Sequence, residues 1–72
     1  MIKKLTKRDI PKVKKVFEFD ENLEIYFKEI DNKIVGLIII YGNKVGYIEI
    51  IDGYEYLKNE LLEFSRKIRG LK

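Results

Sequence analysis

A chain of 72 residues with 15 basic and 12 acidic side chains, a net charge of +3, and no cysteine or histidine is one small domain, burying only about 60% of its unfolded surface. Those absences exclude disulfides, the usual ligands of zinc, haem and iron–sulfur centres, and the histidine-dependent nucleophilic triads; no carboxylate spacing marks a metal site either. Oligomerisation is the remaining support for so small a core, and a homodimer is expected.

Met1–Leu5 reads as a short edge strand with Ile2 and Leu5 as its apolar contacts. Pro11 then fixes where the first helix starts, because proline is harmless only among the first positions, whose N–H groups have no intrahelical partner. Asp9 as N-cap puts Pro11 at the second helical position. Ile10, Val13, Val16 and Phe17 form the expected buried stripe, with Lys12, Lys14 and Lys15 toward water, and Asp20-Glu21-Asn22 ends the unit.

Leu23–Ile30 alternates, with Leu23, Ile25 and Phe27 on one face and Glu24, Tyr26 and Lys28 on the other. Asp31-Asn32-Lys33 is a tight turn by composition. Ile34–Tyr41 is a continuous apolar run broken only by Gly36, which predicts a strand covered on both faces; it is far too short for the roughly 20 helical residues that span a bilayer. Gly42-Asn43-Lys44 turns the chain again, and Val45–Ile51 returns antiparallel, with Val45, Tyr47, Glu49 and Ile51 on one face and Gly46, Ile48 and Ile50 on the other.

Leu57, Leu61, Phe64 and Ile68, spaced four, three and four, predict an amphipathic helix over Leu57–Ile68. Asp52 and Glu55 fit a capping box at its start and Gly70 a cap at its end, with Arg66, Lys67 and Arg69 complementing the dipole. The reading is α+β, in the order β-α-β-β-β-α: an antiparallel sheet of three to four strands packed with two helices, one domain over residues 1–72.

Residues 1–15 carry seven basic groups against Asp9, residues 16–60 ten acids against four lysines, and residues 61–72 four basic groups against Glu63. Basic ends around an acidic middle are read as solvated helix surfaces. The charged N-terminus shows no apolar signal segment, so a cytoplasmic protein with no membrane contact is expected. The dominance of Lys, Glu and Ile suits a thermophile, and AT-rich coding produces the same bias.

The opening Ile2-Lys3-Lys4-Leu5-Thr6-Lys7-Arg8-Asp9-Ile10-Pro11 is similar to the first strand and T-x-x-D-I/L-P helix start of the GNAT N-acetyltransferase superfamily. Ile25–Gly36, containing Lys33-Ile34-Val35-Gly36, resembles that superfamily's second and third strands. Tyr47–Ile51 stands where its fourth strand would be, and Leu61–Lys72 resembles the helix that follows. The resemblance covers nearly the whole chain and about half of the superfamily's domain, which implies a truncated GNAT-like fold.

Two departures bear on activity. The superfamily's pyrophosphate loop, Gln/Arg-x-x-Gly-x-Gly/Ala, is replaced by Asp52-Gly53-Tyr54-Glu55-Tyr56, with one glycine, two bulky rings, and Glu55 and Glu60 facing any incoming dianion. The fifth strand, which makes the groove's second wall, and the tyrosine that often protonates the departing thiolate would lie beyond Lys72. The resemblance therefore leaves Glu49 as the candidate general base and Ile51, Gly53 and Tyr54 as the candidate cofactor-binding positions, with no metal ligands. The expected function is a homodimeric or partner-binding module, pairing through the Val45–Ile51 edge, without acetyl transfer or a cofactor of its own. The alternative is an acetyl-CoA-dependent N-acetyltransferase completed by a second subunit. A further reading is a small nucleic-acid-binding domain, since double-stranded-RNA-binding domains share the α-β-β-β-α layout. They expect lysines where Tyr54-Glu55-Tyr56 stands, so no nucleic-acid partner is expected.

Overall fold

The computed structural model describes residues 2–69. The elements follow in the order β1 (Ile2–Lys4), α1 (Ile10–Lys14), β2 (Glu24–Ile30), β3 (Lys33–Tyr41), β4 (Lys44–Ile50), a 3₁₀ turn (Glu55–Leu57) and α2 (Lys58–Arg69). The four strands form one antiparallel sheet in the order β1-β2-β3-β4. This is the expected β-α-β-β-β-α order, with the fourth strand present. The proposed cap at Gly70 lies outside the described residues.

Alternation along β2 divides the core between two faces. Ile25 and Phe27 are buried with Leu37 and Ile39 of β3, under Val13 and Phe17. Tyr26 and Lys28 point the other way. Tyr26 meets the ring of Phe64 at 4.9 Å in an edge-on contact, and Lys28 donates to Glu60 at 2.7 Å, both on α2. Thus α1 and α2 cover opposite faces. As its unbroken apolar run predicts, β3 is buried on both, from Ile34 through Ile40. Each such side chain contributes about 1.5–3 kcal/mol relative to an exposed one, so the central strand anchors the fold. Gly36 lets α2 come close: a Cβ there would sit 3.3 Å from Leu61 Cδ1.

Two hairpins fix the register. Asp31 and Asn32 both adopt positive φ (51° and 65°) between the paired Ile30 and Lys33, the geometry of a two-residue turn whose twist matches the strands. Gly42, at φ 59°, begins the two-residue loop between Tyr41 and Lys44.

The structure departs from the sequence pattern at four places, each for a local reason. Asp9 stands at the N-cap with Pro11 in the first turn, as expected, but its side chain makes no cap bond; the turn before it is closed by the Thr6 carbonyl, which accepts from the Asp9 and Ile10 N–H groups. The Asp9 carboxylate instead reaches back, accepting from the Thr6 hydroxyl (2.7 Å) and N–H (3.3 Å). Helix α1 ends at Lys14 in a tight turn, with the Val16 and Phe17 N–H groups both donating to Val13; Phe17 stays buried while Val16 is turned out, 42% exposed. From the 3₁₀ turn into α2 the buried line runs Leu57, Leu61, Ser65, leaving Ile68 exposed. Small Ser65, its hydroxyl satisfied by the Leu62 carbonyl at 2.7 Å, continues the close approach. Finally, the pairing of β3 with β4 shifts by one residue between Ile39 and Ile40, leaving Gly46 as an extra residue, a bulge. Val45 consequently opposes Ile40 and joins the face of Ile48, not that of Tyr47.

Candidate functional site

The positions singled out on the resemblance, Glu49, Ile51, Gly53 and Tyr54, lie along β4 and the turn that leads to α2. Gly53 has φ 93°, a conformation that favours glycine, and it swings the chain from the sheet into the 3₁₀ turn. Four N–H groups of this turn are bonded within the chain. Gly53 N–H donates to the Glu55 carboxylate, at 3.0 Å to Oε1 and 3.2 Å to Oε2. Tyr54 N–H donates to the Ile51 carbonyl (3.2 Å), Leu57 N–H to the Tyr54 carbonyl (2.9 Å), and Lys58 N–H to the Glu55 carbonyl. An external phosphate needs such N–H groups free and a positive field. Here the anion at the helix start is Glu55 itself. The expected box between Asp52 and Glu55 is replaced by this pairing of Glu55 with Gly53, because the left-handed Gly53 turns its own N–H toward the carboxylate.

Tyr54 is half-buried, with Lys33 Nζ 5.5 Å from its ring centre and the Tyr56 ring 6.1 Å away. These contacts tie the β2–β3 turn to the start of α2. Ile51 packs beside the α1-side core, and its N–H donates to the Val35 carbonyl at 3.0 Å. Glu49 opposes Leu37 and therefore lies on the α1 face, half-buried. Among the described residues no hydrogen bond or ion pair holds its carboxylate. The structure thus brings Ile51, Gly53 and Tyr54 together in one turn and leaves Glu49 on the strand before it.

The second feature is the outer side of β4, along which no strand pairs among the described residues. In an antiparallel ladder, successive residues direct both backbone groups alternately toward one neighbour and the other. Since Ile51 bonds Val35, Glu49 and Tyr47 also face β3, and Ile48 and Ile50 face outward. From the other end, Tyr41 and Lys44 close the hairpin, so Val45 faces outward, the extra residue Gly46 restoring the phase. Val45, Ile48 and Ile50 therefore present N–H and C=O groups away from the sheet. The resemblance marked this strand as an edge, but the bulge that sets its outward residues has no compositional signal beyond Gly46 itself. The ring of Tyr41 lies where a Gly46 side chain would be, so an added Cβ would overlap it.

Opposite, a shallow pocket of about 290 Å³ opens between β1 and α2, lined by Ile2, Glu60, Glu63, Phe64 and Lys67 and by none of Glu49, Ile51, Gly53 and Tyr54. Among the described residues no group of three or more acidic, histidine or cysteine side chains is placed to hold a metal ion. Among the described residues no helix is long and apolar enough to cross a membrane.

No protein-family model matches the chain, and no curated protein or solved structure matches it.

Proposed function

We propose that this chain is a small GNAT-like scaffold working in the cytoplasm as a protein-interaction module, self-associating through the open edge of β4, with no acetyl transfer by the single chain. The observation that carries the reading is the outward row of backbone groups at Val45, Ile48 and Ile50 on a strand whose side chains there are all aliphatic. A long open edge of this kind is a template for another strand, and pairing would enlarge a core that is small for an independent domain. The second support is the helix start, where the Glu55 carboxylate, accepting from the Gly53 N–H, sets a negative charge in the path of an incoming pyrophosphate.

Sedimentation velocity across the micromolar range tests the association. A concentration-dependent dimer is expected, and a monomer throughout would overturn self-association. An amide NMR titration with acetyl-CoA tests the second half. No saturating shifts are expected at Asp52–Lys58 at millimolar ligand. Saturating shifts there would replace this reading with that of an acetyltransferase completed by a second subunit.

A further inference from the structure

Resting on the reading of β4 as a self-associating edge, we propose that two copies pair antiparallel through β4 about a twofold axis at Ile48, making one continuous eight-stranded sheet. The partner is a second copy, and the register of its outward residues sets the axis.

The outward residues are Val45, Ile48 and Ile50. With Gly46 counted as the bulge, they are evenly spaced on the ladder and symmetric about Ile48. An axis there lets Ile48 exchange hydrogen bonds with Ile48 of the partner subunit, and Val45 with Ile50 of the partner subunit, at both ends. An axis at Glu49 would pair Ile48 with the partner's Ile50 but would send Val45 to the partner's Asp52, which is in the turn beyond the strand.

The side chains favour the same register. A twofold axis perpendicular to the sheet keeps each face with its like. On the α2 face, the seam at Ile48 joins only Val45, Ile48 and Ile50 from each copy. On the α1 face it sets Tyr47 opposite Glu49 of the partner subunit, in a pair without mutual backbone bonds, where side chains come closest. Tyr47 is 48% exposed, and the Glu49 carboxylate has no partner among the described residues; a phenol donating to a carboxylate answers both. The same combination occurs within β2, where the Tyr26 hydroxyl donates to Glu24 at 2.8 Å. An axis at Glu49 would instead place that carboxylate directly against its own copy, a like-charge contact that destabilises strand pairs. Antiparallel pairing also brings the basic start of β4, at Lys44, toward the acidic end of the partner's, at Asp52.

A chain without cysteine makes the register readable by disulfide trapping. Tyr47→Cys and Glu49→Cys are made as separate variants, checked for native circular dichroism, and oxidised alone and mixed. Directly opposed residues of this type have Cα atoms about 4.5 Å apart, within disulfide reach. Diagonal ones are about 7–8 Å apart, at or beyond the limit. Covalent dimer is expected on mixing the two variants and not from either alone. Covalent dimer from Glu49→Cys alone would move the axis to Glu49 and overturn the proposal. Sedimentation of the parent chain separates the two levels: a parent dimer with no trapping in the mixture refutes the register, whereas a parent monomer refutes the association beneath it.

Discussion

The two edges of the sheet are built on opposite lines. β1 is three residues long, carries Lys3 and Lys4, and is tied inward: Lys3 bonds Glu29 of β2 at 3.2 Å, and the Leu5 N–H extends the pairing to the Ile25 carbonyl. Shortness and lysines are the devices by which natural sheets blunt an edge. β4 is seven residues long, and its only lysine is Lys44 at the hairpin. Its outward residues are aliphatic, and its one irregularity, the Gly46 bulge, leaves them evenly spaced. The two edges are thus protected unequally: β1 is short, basic and tied inward, whereas β4 is long and turns aliphatic residues outward.

The sharpest way to break the comparison is to place a proline on each edge. By the alternation that follows from the Leu5–Ile25 bond, Lys4 faces away from β2, as Ile48 faces away from β3. Neither N–H bonds within the sheet, and proline is tolerated at such edge positions. Ile48→Pro is expected to weaken dimerisation at least about 100-fold, or roughly 2.7 kcal/mol, while leaving circular dichroism native. Lys4→Pro is expected to leave the dimer constant within about threefold (~0.7 kcal/mol). Equal effects from the two variants in sedimentation equilibrium would erase the distinction between the edges.

The same edges show where sequence reading reaches its limit. The order of elements, the double burial of β3 and the alternation of Ile25, Tyr26, Phe27 and Lys28 were legible, because hydrophobic periodicity reports directly which side of a strand is covered. The bulges were not. One extra residue at Val35, where the β2–β3 pairing shifts, and another at Gly46 change which residues face each other without changing composition. Val45 therefore stands on the opposite face from the one that simple alternation gives it. The capping positions were visible, and Asp9 does stand at the N-cap, but the bonding partners of their side chains were not. Thr6 and Asp9, and likewise Gly53 and Glu55, pair by backbone geometry that only the folded chain supplies. Candidate positions taken from a resemblance, such as Gly53 and Tyr54, could be located in advance. That their N–H groups are already bonded could not, because this depends on the left-handed turn at Gly53.

A smaller effect tests the bulge that sets the spacing of the β4 edge. A side chain at Gly46 would overlap the Tyr41 ring, yet that ring is 51% exposed and has room to swing outward. Gly46→Val is therefore expected to cost about 1–2 kcal/mol in urea unfolding, at the lower end of overpacking penalties. Tyr41→Ser in the same chain is expected to restore about half or more of that loss. No restoration would mean that the Gly46 backbone itself, and not the ring above it, requires glycine.

The smallest effect concerns what holds β1 in place, and its sign follows from two carboxylates. Glu29 accepts from Lys3 on β1 at 3.2 Å and from Lys12 on α1 at 3.3 Å, and the hydrogen bond from Lys3, followed by that from Lys12, holds its carboxyl below the ordinary 4.5. The Thr6 hydroxyl does the same for Asp9, below 3.8. A carboxylate whose folded pKa is depressed contributes stability that is complete above its unfolded value and is lost as the pH falls through the folded one. The β1–α1 corner should therefore loosen first below about pH 4.5, the ordinary carboxylate value. Amide exchange at Leu5 and Ile10 is expected to rise there before exchange at Glu49 and Ile51, whose N–H groups bond β3. Glu29→Gln should reduce the acid dependence of unfolding and lower stability slightly at neutral pH. Added salt should shrink the difference between variant and parent, since Lys3 and Lys12 are close to half exposed and their attraction to Glu29 is screened. If both edges instead loosen together on acidification, Glu29 is not what secures β1, and the protection of that edge rests on its length and its lysines alone.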